Sequence, residues 1–304
     1  MIVVIRTINM AHKRAVLFLI IFLSFFSKTF CKPVYITTGF PLASILREVV
    51  GTYGDVINLV PPGASPHTYA ALPSDVKKTQ GATALFYVSR ELDGWAANLP
   101  ASKKYSLLDF IPKNYILTFP ENSLESDSKH NHSSGVTDPH FWTDPLTVKS
   151  MIPKLTETLS KLDPANEKNY KSNAEKFMRT LDWLNKQVES ALSNVKGKTV
   201  FLFHPSFLYM LKRYGLVYGG AIEIDPGVEP SAKYTIMLTK KIKSSGAKAI
   251  FTEPQLPDAP AKTISNATGM KVYSLDPNGG VKGRYSYSEI ILYNANVLKS
   301  SLQY

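Results

Sequence analysis

Two α/β lobes, each a small, mainly parallel sheet flanked by helices, joined by one long rigid helix: this is the fold class predicted by the 304-residue sequence. Three observations predict it. Short β-rich apolar runs alternate with helical segments in both halves of the chain, the rhythm of βαβ units. A helical pattern of roughly 30 residues, a rod of about 45 Å, separates the two alternating stretches and is longer than one lobe needs. A hydrophobic content of 44% supplies a large core, and the length fits two domains.

Taken in order, Val34–Thr38 is a β-rich run, Leu42–Val50 a helix and Val56–Val60 a strand that ends at the Pro61-Pro62-Gly63 turn. Pro73-Ser74-Asp75 opens another helix with Ser74 as N-cap; Ala84–Val88 is a buried-type strand and Glu91–Asn98 a short helix. Between Leu117 and Asp138 the chain turns polar and reads as a surface loop. Asp163-Pro164 starts the long helix, with Asp163 as N-cap and Pro164 at the first helical position. Tyr170, Phe177, Leu181, Leu184, Val188 and Leu192 line one face as far as about Val195. The alternation then resumes with strands Thr199–His204, Val217–Ile224, Ala249–Glu253 and Lys271–Leu275. Helices near Pro205–Tyr214, Ser231–Ser244, Asp258–Thr268 and Ser286–Leu302 follow them in turn. The expected divisions are residues 32–162 for the first lobe, 163–195 for the linking helix and 196–304 for the second lobe.

Residues 1–31 read as an export signal. Lys13 and Arg14 precede Ala15–Phe26, an uncharged apolar stretch that spans about 18 Å as a helix, short of a ~30 Å hydrocarbon core. Met10 is an alternative start to Met1. Cys31 leaves a lipid anchor open, although Phe30 stands where a lipobox wants a small residue; plain cleavage after Cys31 is equally workable.

Composition removes several classes of function. The lone cysteine rules out an intramolecular disulfide and zinc sites built from CxxC pairs, so any metal must be held by histidine and carboxylate. The formal charge of +11 includes Arg6, Lys13, Arg14 and Lys28 of the leader; without them 31 cations face 24 anions, or +7. The excess is scattered. Pairs such as Lys77-Lys78 and Lys240-Lys241 are not interleaved with stacking aromatics, which argues against nucleic-acid binding.

Four candidate ligands stand at strand-to-loop junctions, where open α/β sheets bind their ligands. His67 follows the strand ending at Val60, His140 follows the polar loop, and His204 and Asp276 end strands of the second half. Two in each lobe suit a cleft in which imidazoles and one carboxylate meet a divalent metal. Each residue alone is also an ordinary turn former. The intervals between them are far longer than in a finger or a His-Glu-x-x-His helix, so spacing does not show that they meet.

The segments Ser65-Pro66-His67-Thr68-Tyr69, Asp138-Pro139-His140-Phe141-Trp142, Phe203-His204-Pro205, Asp225-Pro226-Gly227-Val228-Glu229-Pro230, Thr252-Glu253-Pro254 and Leu275-Asp276-Pro277 occur in one order along the chain. That series resembles the ZnuA/TroA-like solute-binding proteins, the extracytoplasmic zinc- and manganese-binding components of ABC importers. The resemblance runs from about Val34 to the final helix. It implies a metal site between the lobes with His67, His140 and His204 as imidazole ligands and Asp276 as carboxylate ligand. It also implies a periplasmic monomer whose partner is a membrane permease. Membrane contact would come through that permease or through a lipid at Cys31. Histidine at position 204 matches the zinc-type pattern, with Mn²⁺ or Fe²⁺ as the alternative cargo. His130 and His132 resemble in position, but not in number, a histidine-rich loop, and read as solvated loop residues. Glu229 and Glu253 read as framework residues that support the ligands without joining them.

A zinc-dependent hydrolase is the competing class. It would need a general base near the metal, and Glu253 is the obvious candidate, with no HExxH or HxE…PCxxC motif in the sequence. An added adhesin role stays open. Acidification below about pH 6 is expected to weaken metal binding, because the ligands must be deprotonated and unperturbed histidine titrates near ~6.5.

Overall fold

The computed structural model describes residues 32–120 and 135–303. The export signal, Cys31, His130 and His132 lie outside the described residues. No helix among those described is long and apolar enough to cross a membrane.

The first sheet is fully parallel, with strands β1 (Val34–Thr37), β2 (Asp55–Asn58), β3 (Ala84–Tyr87) and β4 (Lys104–Ser106) in the order β2-β1-β3-β4. Helix α1 (Phe40–Val50) follows β1, α2 (Pro73–Thr79) follows β2, and the short α3 (Arg90–Asp93) follows β3. β1, β2 and β3 end one or two residues earlier than the sequence expectation, and β4 is a strand that the sequence reading did not include.

Two helices then leave the first sheet. Helix α4 (Pro145–Leu162) has no counterpart in the sequence reading, because Pro153 lies inside it and obscures its period. Helix α5 (Glu167–Leu192) is the long one, 26 residues, and 3₁₀ turns at Pro164–Asn166 and Ser193–Val195 flank it. Its buried stripe is Tyr170, Ala174, Phe177, Leu181, Leu184, Val188 and Leu192, the face read from the sequence.

The second sheet repeats the plan of the first. Strands β5 (Thr199–Leu202), β6 (Val217–Ala221), β7 (Ala249–Thr252) and β8 (Lys271–Ser274) are all parallel, in the order β6-β5-β7-β8. Helices α6 (Leu208–Tyr214), α7 (Ala232–Ser244) and α8 (Ala259–Thr268) connect them, and α9 (Tyr287–Leu302) ends the chain.

Two cap assignments differ from expectation. Asp163 does not cap the long helix: its carboxylate accepts the Tyr170 hydroxyl at 2.6 Å and the Asn166 amide at 2.8 Å, and the 3₁₀ turn intervenes. Ser74 lies inside α2, whose first turn is closed by Asp75 accepting the Leu72 N–H at 3.0 Å. Side-chain caps that the sequence reading did not assign are Ser231, which accepts the Tyr234 N–H, and Ser286, which forms a capping box with Glu289.

One continuous apolar core joins Tyr35, Leu46 and Phe86 under the first sheet to Phe177 and Leu184 on α5. It continues to Leu202, Phe251 and Leu298 in the second half. Smaller clusters fill the outer face of each sheet. The long helix is thus a shared wall of both lobes. Polar ties cross the same seam: Tyr287 donates its N–H to Ser44 Oγ (2.7 Å) and its hydroxyl to the Trp142 carbonyl (2.8 Å), and Arg213 grips Asp144 at 2.7 Å.

Candidate metal centre

Both sheets direct their carboxyl ends toward this seam. Three chain segments bring an imidazole there. His204 follows β5 and is 1% exposed, fixed by a tight turn in which the Ser206 N–H bonds the His204 carbonyl at 2.8 Å. His140 lies just ahead of the 3₁₀ turn Phe141–Thr143 and is equally buried. His67 is half-buried on the loop between β2 and α2, which Tyr69 anchors through a 2.7 Å bond to Asp75.

The three rings meet through their ε nitrogens. His140 Nε2 is 3.0 Å from His67 Nε2 and 3.2 Å from His204 Nε2. Tetrahedral zinc with Zn–N bonds of about 2.0–2.1 Å spaces its nitrogens about 3.3–3.4 Å apart, close to this arrangement. His140 is oriented for the purpose: both its Nδ1 (2.7 Å) and its main-chain N–H (2.9 Å) donate to Asp138 Oδ1. That leaves the Nε2 lone pair turned toward the other two imidazoles. Asp138 is itself held, its carbonyl accepting the Tyr209 hydroxyl at 3.0 Å.

The cavity beside the rings has a volume of about 10 Å³, room for one water-sized particle, and is walled by Trp142, Glu253, Pro277 and Asn278 among others. Trp142 closes it across the seam, donating its indole N–H to the Pro277 carbonyl at 2.9 Å.

Among the described residues, the group whose ligand atoms gather within 4.8 Å of one another is His67, His140 and His204, without Asp276. Asp276 sits at the same edge, 1% exposed, but other groups hold its carboxylate. Oδ1 accepts from Gln255 Nε2 (2.8 Å) and from the N–H groups of Asn278 and Gly279 (both 3.0 Å), and Oδ2 is paired with Arg284 Nε at 2.7 Å. Asn294 clamps the Asp276 main chain on both sides.

Glu253 lines the cavity as a buried side chain and accepts the Ser206 hydroxyl at 2.6 Å; burial pushes its carboxyl up to about 8, so it is protonated at neutral pH. Glu229, by contrast, is exposed. Sequence reasoning missed Asp138, Trp142 and Arg284. Asp138 and Trp142 lie in the same Asp-Pro-His-Phe-Trp segment as His140, a signal the sequence does carry, whereas nothing in the sequence distinguishes Arg284.

The fold and the histidine cluster define a two-lobed α/β protein with three imidazoles gathered in its seam, a group that could hold a metal ion. The comparison with known families agrees: the chain belongs to ZnuA, the "Zinc-uptake complex component A periplasmic" family, whose pattern matches residues 35–301. Zinc-binding protein AdcA of Streptococcus pyogenes serotype M3 is 29% identical over 282 residues, 87% of this chain and 55% of AdcA. This chain therefore spans about half the length of that relative. High-affinity zinc uptake system protein ZnuA of Bacillus subtilis is 27% identical over 277 residues, 88% of this chain and 86% of its own. The crystal structure of a zinc-bound ZnuA deletion mutant superposes with a TM-score of 0.76 at 25% identity, covering 90% of this chain and 99% of that one.

Proposed function

We propose that this protein binds one divalent transition metal ion, zinc before manganese or iron, outside the cytoplasm and delivers it to the permease of an ABC importer. One observation carries the reading: three imidazole ε nitrogens converge at tetrahedral-ligand spacing beside a cavity of about 10 Å³. Such a space has the scale of a single ion, which fits carriage of a metal. Three nitrogen donors also favour zinc over manganese under the Irving–Williams order.

In this reading His67, His140 and His204 supply the nitrogens and Asp276 the carboxylate. Residues 1–31 direct export, and residues 32–162, 163–195 and 196–304 form the first lobe, the linking helix and the second lobe. The zinc-uptake names carried by AdcA and by the Bacillus relative support the choice of cargo, and the family description supports a location outside the cytoplasm.

Metal analysis of protein purified without added metal tests the proposal. One zinc per chain is the expected outcome, with affinity lower at pH 5 than at pH 7.5 and weakened in His204→Ala and Asp276→Ala. Protein that takes up no stoichiometric metal, or that binds zinc equally well without His204, would refute it.

A further inference from the structure

Among the described residues, Arg284 is the cationic partner of Asp276 and so competes with a metal ion in kind. The Asp276 carboxylate offers about four acceptor positions. Gln255, Asn278 and Gly279 fill those of Oδ1, and the Arg284 guanidinium faces Oδ2 at 2.7 Å. Oδ2 keeps an acceptor position for a cation, but an ion bound there would meet the like charge of the guanidinium at close range. In the same pose the guanidinium carbon lies 4.2 Å over the centroid of the Tyr293 ring, a second contact that does not depend on Asp276. The arginine is also fixed in place by the turn that carries it, in which the Gly280 N–H bonds the Arg284 carbonyl at 2.9 Å. That turn needs glycine at Gly279 and Gly280, both with positive φ, and a Cβ on Gly280 would come within 3.1 Å of Phe40 in the first lobe.

We propose that Arg284 is an affinity-setting residue, an internal cation that exchanges with the transported metal for Asp276 Oδ2. The inference rests on the metal-binding reading above and goes beyond it. Metal held by three neutral imidazoles gains the fourth, anionic ligand by displacing Arg284, and loses it when Arg284 returns. The arginine thereby weakens holding and speeds release, which a protein that must surrender its cargo requires. Removing the guanidinium leaves a buried carboxylate uncompensated, and the bound ion then becomes its best available partner.

Zinc competition titrations and stopped-flow release into a chelator, on the full exported chain, test the idea with Arg284→Gln, Asp276→Asn, the double variant and His204→Ala. Arg284→Gln should bind zinc about tenfold more tightly, mainly through slower release, one decade in the equilibrium constant. The gain should vanish in the Asp276→Asn background, and the melting-temperature rise on adding zinc should be larger in Arg284→Gln than in the parent protein. Arg284→Lys, which keeps a charge without the planar fork, should fall between. Unchanged or weaker zinc binding in a folded Arg284→Gln overturns the proposal, as does a gain that persists without Asp276. His204→Ala separates the two readings: if it binds zinc like the parent, the metal site itself is wrongly placed, whereas if it fails while Arg284→Gln behaves as the parent, the exchange alone is wrong.

Discussion

The two sheets share one strand order yet do different things at the place where that order reverses. In each, the first strand is flanked by the second on one side and the third on the other, which opens a crevice at the carboxyl ends of the central pair. In the first lobe that crevice is plugged. Asp93, fully buried on α3, takes the Thr38 hydroxyl after β1 and the Val88 and Ser89 N–H groups after β3. In the second lobe the same crevice is left to function: His204 follows β5, Glu253 follows β7, and Ser206 links them. The first lobe instead brings its two imidazoles from outside the crevice, His67 from the loop after β2 and His140 from just ahead of the 3₁₀ turn Phe141–Thr143. Identical topology therefore creates an opportunity, and one carboxylate decides whether it is filled from within.

The largest test of this asymmetry is His204→Ala, expected to lower zinc affinity on the order of a hundredfold or more while leaving the circular dichroism spectrum intact. Next comes Asp93→Ala, which strands three buried donors and should cost about 3 kcal/mol of stability in urea unfolding. Its zinc affinity should stay within about threefold of the parent, since the ligands lie elsewhere; a collapse of zinc binding in a folded Asp93→Ala protein would break the comparison.

The crevice carboxyls also predict a pH signature of metal-free protein. Burial holds Asp93 up to about 6 and Glu253 up to about 8, against ordinary carboxyl values near 4. Each stays protonated in the folded chain where the unfolded chain has ionised, so raising the pH favours unfolding. Stability should fall between about pH 4 and 6 through Asp93 and between about pH 4.5 and 8 through Glu253. One proton changes the melting temperature by about 2–3 °C per pH unit at most. Glu253→Gln should flatten the slope between pH 6 and 8, and Asp93→Asn the slope below 6. A slope that survives both substitutions would show that neither group is buried as a neutral acid. The smallest expected effect is Trp142→Phe, a loss of about 1 kcal/mol as the indole bond to Pro277 disappears, read by thermal unfolding.

Much of this was legible before any coordinates. The parallel sheets follow from apolar runs such as Ala84-Leu85-Phe86-Tyr87, whose buried character on both faces no alternating pattern would show. The heptad-like stripe from Tyr170 to Leu192 announced α5. Helix α4 was hidden because Pro153 reads as a breaker, yet it sits in a helix whose packing against α5 outweighs one lost hydrogen bond. Asp163 looks like a cap because Asp-Pro is the common helix opening, and its carboxylate is instead recruited by Tyr170, seven residues on. The three imidazoles stood out by their junction positions. Their meeting was a matter of topology, which the intervals of sixty to seventy-odd residues between them do not encode. Asp276 was equally visible as a residue type, but its pairing with Arg284 depends on a glycine turn whose direction the local sequence does not reveal.

The apolar core that threads both halves through α5 has a consequence for dissection of the molecule. Neither half owns a complete interior: cut after Val195, each fragment would expose the stripe that the other covers. The fragments should behave as sticky, incompletely folded pieces that regain a shared melting transition only when mixed. Swinging the halves apart would tear that interior open, so motion in this molecule is expected to concentrate in the loops at the rim of the seam.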